Sequence, residues 1–141
     1  MASRGRGHRT HVVEGFEILV GKGEADNDRL TFGVAEPLDF WLHVSGCPGS
    51  HVIVKNPERL DALPRLVLEA AAQLAAFHSK ARSARGKVEV HVCRAADVSK
   101  PRGFAPGEVR LKRWDSLRVY PRDVAPEAAM RADESLGPAR E

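Results

Sequence analysis

The chain has 141 residues, 43% of them apolar, and a formal net charge of +3; it is long enough for one core, too short for two, and too apolar for a disordered polymer. No run approaches the roughly 18–20 apolar residues needed to cross a bilayer, and neither GxxxxGK[ST] nor GxGxxG occurs, so the reading is of a cytoplasmic protein with no membrane partner, no P-loop hydrolysis and no Rossmann cofactor site. Residues 14–77 carry 5 Lys/Arg against 10 Asp/Glu, whereas residues 78–122 carry 12 against 4, an asymmetry that suits a polyanionic partner.

Residues 1–13, with Ser3-Arg4-Gly5-Arg6-Gly7-His8-Arg9, read as a flexible basic arm, because glycine between arginines resists packing. The folded body is expected over 14–123, followed by a flexible acidic Ala/Pro-rich tail over 124–141 with a short helix at 126–132. Phe16–Val20 and Leu30–Val34 are strand-like runs separated by the turn formers of residues 21–28. Residues 39–55 predict a hairpin in which Pro48-Gly49 suits the centre of a type II turn. Alternation sends Phe40, Leu42, Val44, Val52 and Val54 to one face; Asp39, Trp41, His43, His51, Ile53 and Lys55 take the other.

One long helix is predicted from about 64 to 82, with Leu66, Ala70, Leu74, Phe77 and Ala81 as its apolar stripe and neighbouring alanines permitting close approach. Val88, Val90 and Val92 mark a further strand, and residues 108–113 and 116–120 two short ones, after a basic Pro/Gly loop at 100–107. The fold class is α+β: a mainly antiparallel sheet packed against one long helix, with flexible termini.

Candidate chemistry concentrates on the hairpin. A strand tryptophan ordinarily packs in the core, but Phe40, Leu42 and Val44 already supply this strand's core, so Trp41 is read as an exposed indole able to stack a base. His43 and His51 match no metal-ligand spacing, Cys47 and Cys93 form no CxxC, and no metal or other cofactor is expected. The two histidines read as ligand contacts, with structural hydrogen bonding or an acid/base pair as alternatives. Gly49-Ser50-His51 suits either phosphate capture by backbone N–H groups or ordinary turn chemistry. Ser79 and Lys80 would point about 100° apart on a helix, which suits a polar helix end or phosphate contact rather than a nucleophile and its base.

Taken in order, Gly21-Lys22 with Asn27-Asp28, Asp39-Phe40-Trp41-Leu42-His43-Val44, Pro48-Gly49-Ser50-His51-Val52, Phe77-His78-Ser79-Lys80-Ala81-Arg82, Lys100-Pro101-Arg102-Gly103 and Pro106-Gly107 resemble the NFACT-R domain. In larger members of that family the domain accompanies others in proteins of ribosome-associated quality control, which bind tRNA and the large ribosomal subunit. The resemblance is to the standalone bacterial forms, for which it implies RNA binding, not a demonstrated reaction; the expected partner is tRNA or rRNA, and the chain is read as a non-enzyme. It carries over Asn27, Asp28, Asp39, Trp41, His43, Pro48, Gly49, Ser50, His51, Ser79, Lys80, Lys100 and Gly103. With nearby cations added, the candidate RNA contacts are Lys22, Asn27, Asp28, Asp39, Trp41, His43, Gly49, Ser50, His51, Lys55, Ser79, Lys80, Arg82, Lys100 and Arg102. Two alternatives compete: an RNA- or phosphoester-processing enzyme using His43 and His51, and an adaptor that docks on a ribosomal protein through Trp41.

Overall fold

Period-two alternation builds a six-stranded sheet, every neighbouring pair antiparallel, in which residues 8–13, 16–21, 52–54, 40–44, 88–94 and 115–119 lie side by side in that order. The computed structural model describes residues 7–123, so residues 1–6 of the expected arm, and the whole tail with its short helix, lie outside the described residues. The strands are β1 (His8–Val13), β2 (Phe16–Gly21), β3 (Phe40–Val44), β4 (Val52–Val54), β5 (Val88–Arg94) and β8 (Asp115–Val119). A separate two-stranded ladder pairs β6 (Val98–Ser99) with β7 (Arg110–Leu111).

His8–Val13 forms an edge strand where the sequence suggested part of an arm. The link to β2 is a two-residue turn in which Glu14 and Gly15 both take positive φ, 53° and 81°, the conformation that matches strand twist in tight hairpins. Glu-Gly is a weaker signal for it than Asn-Gly, and the hairpin is not evident from sequence.

The helix α2 (Arg65–Phe77) has 13 residues, about 20 Å of length, and is shorter than the expected helix to residue 82. It packs on the sheet through Val67, Ala70, Ala71, Leu74 and Ala75 against Ile18, Val20, Leu42, Val52, Val54 and Val90. Leu66, assigned to the stripe from sequence, is half exposed, and Val67 takes the inward position. The chain leaves the helix at His78 because the next residues bond elsewhere. Ser50 N–H donates to the His78 carbonyl and Lys80 N–H to that of Pro48, each at 2.9 Å, so Gly49 and Ser79 form a short antiparallel bridge.

The other sheet face is covered as well. Residues 21–28, expected as turn, contain the helix α1 (Glu24–Arg29). Leu30–Val34, expected as strand, continues it as a π-helical turn closed by Ala35 N–H to the Leu30 carbonyl at 2.9 Å. This helical segment and the β6–β7 ladder enclose a second core of Leu19, Leu30, Trp41, Ile53, Cys93 and Val98. Residues 108–113 contribute only the two-residue β7 to that cover. The α+β class and the antiparallel sheet stand; a single long helix does not.

Candidate functional site

Trp41 is 2% exposed and His51 1% exposed, which corrects the expectation of a solvent-facing Trp/His platform. Alternation had placed them on the correct face; the cover supplied by α1, the π-helical turn and β6–β7 removes that face from water. A hydrogen-bond relay satisfies the buried polar atoms. Trp41 Nε1–H donates to Thr31 Oγ1 at 3.2 Å, and the Thr31 hydroxyl lies 2.8 Å from His51 Nδ1. His51 Nε2 lies 3.1 Å from the Gly107 carbonyl. A carbonyl only accepts, so Nε2 carries the proton and Nδ1 accepts from Thr31. Burial, followed by the neighbouring His43, pushes His51 down to about 4, and it is neutral at physiological pH.

The same region is pinned by two side chains of α1. Asn27, 4% exposed, accepts from His51 N–H at 3.1 Å and donates to the Gly49 carbonyl at 3.3 Å. Asp28 accepts from Gly107 N–H at 3.1 Å and sits 3.3 Å from Lys100 Nζ. Lys100 also donates to the Ala105 and Glu108 carbonyls, both at 2.6 Å. These residues tie the 100–108 loop to the sheet, and Lys100 is saturated with internal partners.

Asp39 and Lys55 lie at the opposite end of the sheet. The Asp39 carboxylate accepts from Lys55 Nζ at 2.6 Å and from the N–H groups of Glu36 and Asn56, each at 2.8 Å. The indole and the two imidazoles do cluster, with ring centres 5.1–5.9 Å apart, but under cover rather than on a surface, and Lys55 is not with them because the length of β4 separates it from His51. Arg102 is exposed in a loop and lines neither of the grooves described below.

Lys22, Gly49, Ser50, Ser79, Lys80 and Arg82 do come together. They line an open groove of about 340 Å³ where the 48–51 loop meets the end of α2. Gly49 does not adopt the positive φ of a type II turn; its requirement is space, since a Cβ there would stand 2.7 Å from Ser79 Cβ. Ser50 Oγ donates to the Gly21 carbonyl at 2.5 Å, and Ser79 Oγ donates to the Ala76 carbonyl and accepts from Ala81 N–H. The two serines therefore shape the groove.

Its charge comes from Lys22, Lys80, Arg82 and Arg9, a residue the sequence reading left in the arm, set against the one carboxylate Glu24. None of the four cations has an ion-pair partner among the described residues. The Arg82 guanidinium lies 4.1 Å from the centre of the Phe77 ring, which steadies it at the rim. His78 in the wall is held down to about 4, first by burial and then by Arg9, so the groove's charge at neutral pH comes from arginine and lysine.

The family model described as NFACT protein RNA binding domain matches residues 8–113. The chain belongs to the NFACT RNA-binding domain family. Among NFACT relatives, the Rqc2 homolog RqcH of Streptococcus suis is 40% identical over 104 residues, covering 74% of this chain and 18% of that protein. RqcH of Bacillus subtilis is 37% identical over 109 residues, 77% of this chain and 18% of its own length. Ribosome quality control complex subunit 2 of Saccharomyces cerevisiae is 32% identical over 113 residues, 77% of this chain and 11% of its own. The chain thus spans less than a fifth of the length of these relatives. A solved structure of the C-terminal part of the fibronectin/fibrinogen-binding protein from Streptococcus suis superposes with a TM-score of 0.76 at 34% identity, covering 89% of this chain and 48% of that one.

Proposed function

We propose that this NFACT domain is a non-catalytic RNA-binding module that engages tRNA or rRNA, at the large ribosomal subunit, in translation quality control. The observation that carries the reading is the groove at the end of α2, where Arg9, Lys22, Lys80 and Arg82 converge around the Pro48-Gly49-Ser50 backbone. Cations without ion-pair partners are the groups that release condensed counterions on meeting phosphates. The relatives are named for ribosome quality control, which supports the setting.

The enzyme alternative is not favoured by the geometry. His43 and His51 approach, with ring centres 5.5 Å apart, but both His51 nitrogens are engaged and the ring is buried. It has no free lone pair with which to take a substrate proton. Lys55 and Lys100, each committed to a carboxylate, are assigned to the fold rather than to RNA, and so are Asn27, Asp28, Asp39, Trp41 and His51.

Filter binding of the chain to bulk tRNA and to isolated large subunits, at increasing salt, tests the proposal. The expected result is affinity that falls steeply with salt, and subunit binding that is lost when exposed RNA is digested. Undetectable or salt-independent binding to both, or subunit association that survives RNase, overturns it.

A further inference from the structure

A second groove, of about 800 Å³, opens on the sheet face away from α2, within the size range of small-ligand sites. His43 and His91, paired across β3 and β5, form part of its lining. Trp114, at the entry to the edge strand β8, stands at its side with 49% of its surface exposed. The indole lies 5.4 Å, centre to centre, from the His91 ring at an interplanar angle of 42°. This is the uncovered indole of the molecule among the described residues, since Trp41 is enclosed.

The charge of this groove differs from that of its neighbour. No lysine or arginine lines it, and its ionisable carboxylates are Glu24 and Glu108. Such a lining disfavours a phosphate and favours an uncharged planar ring with hydrogen-bond donors at its edge. The two grooves share Glu24, Asn27, Pro48 and Gly49 in their walls. The Pro48-Gly49 segment therefore separates a groove lined by cations from one lined by none.

We infer that this second groove receives an unstacked base of single-stranded RNA, stacked on Trp114 beside His91 and His43. The inference rests on the RNA-binding reading and deepens it by separating a phosphate groove from a base groove. Single-stranded RNA exposes base faces that a duplex hides, and aromatic stacking is tolerant of base identity.

The test titrates the chain, at a series of salt concentrations, with two six-nucleotide RNAs: oligoadenylate, and an abasic oligomer with the same phosphates. Oligoadenylate is expected to quench the Trp114 emission, a signal absent in Trp114→Phe. Trp114→Ala is expected to weaken oligoadenylate binding by about 5- to 150-fold, the equivalent of one stacked base, while abasic binding and the salt slope stay unchanged. Trp114→Phe, which keeps an aromatic plane, should retain most of the affinity and guards against a folding defect. If oligoadenylate binds Trp114→Ala as tightly as the unaltered chain with an unchanged salt slope, the base groove is refuted and the phosphate groove stands. If neither oligomer binds the unaltered chain, both fall. A Trp114 signal that responds only to a ribosomal protein also refutes the base groove.

Discussion

At the scale of single residues, His51 is a side chain whose acid-base chemistry folding changes strongly. Its ring is held neutral by burial, with about 4 as its folded value against 6.5 when exposed. The unfolded chain therefore takes up a proton on this ring between pH 6.5 and 4 while the folded chain does not. The residue's contribution is fully present above pH 6.5 and is lost as pH falls toward 4, amounting to about 3 kcal/mol. Urea unfolding followed across that window should show the decline, and His51→Gln should reduce it while leaving the part that His78, also held down to about 4, contributes. Trp41 makes a second residue-scale case. Trp41→Ala is expected to cost about 3–5 kcal/mol of stability, because the ring is enclosed by the second core and its N–H is satisfied by Thr31. A variant that instead unfolds like the parent and only loses RNA affinity would restore the stacking role that the sequence suggests for this ring.

At the scale of elements, the join between the 48–51 loop and the end of α2 sets the shape of the phosphate groove. The bridge between Gly49 and Ser79 holds Lys80 and Arg82 opposite Lys22. Gly49→Ala drives a methyl group into Ser79 Cβ at 2.7 Å, with Val44 Cγ1 at 3.1 Å and Ser79 Cα at 3.2 Å also crowding it. A loss of about 1–3 kcal/mol is expected, the usual range for overpacking. Hydrogen exchange should show faster exchange at the Ser50 and Lys80 amides, whose bonds make the bridge. Unchanged protection at those two amides would mean that the join tolerates the methyl group and does not set the groove.

At the scale of the whole molecule, alternation along Phe40–Val44, Val52–Val54 and Val88–Val92 was sufficient to assign sheet faces, and the alanines of α2 announced its close packing on one of them. What alternation cannot say is what covers the second face. That cover is made of residues 24–34, whose Asp, Asn and Gly content reads as turn and whose five-residue apolar run reads as strand, and of a ladder only two residues long on each side. Trp41 and His51 consequently read as surface when they are interior. The cationic site was legible in part: Lys80 and Arg82 stood in a basic run, whereas Arg9 joins them through the β1–β2 hairpin, whose Glu-Gly turn gives only a weak sequence signal. Lys55 and Lys100 were legible as charges, but their carboxylate partners are 16 and 72 positions away in the chain, a distance at which no local pattern identifies a pair.

The measurement that bears most directly on the groove at the end of α2 is the salt dependence of single-stranded RNA binding for Lys80→Gln with Arg82→Gln, compared with Arg65→Gln at the start of the same helix. Each phosphate contact removed should lower the slope of log affinity against log salt by about 0.7, so the double variant is predicted to lose about 1.4 while Arg65→Gln keeps the parental slope. Equal slopes for the parent and the double variant, or a loss with Arg65→Gln of the same size, would contradict the assignment of RNA phosphates to this groove.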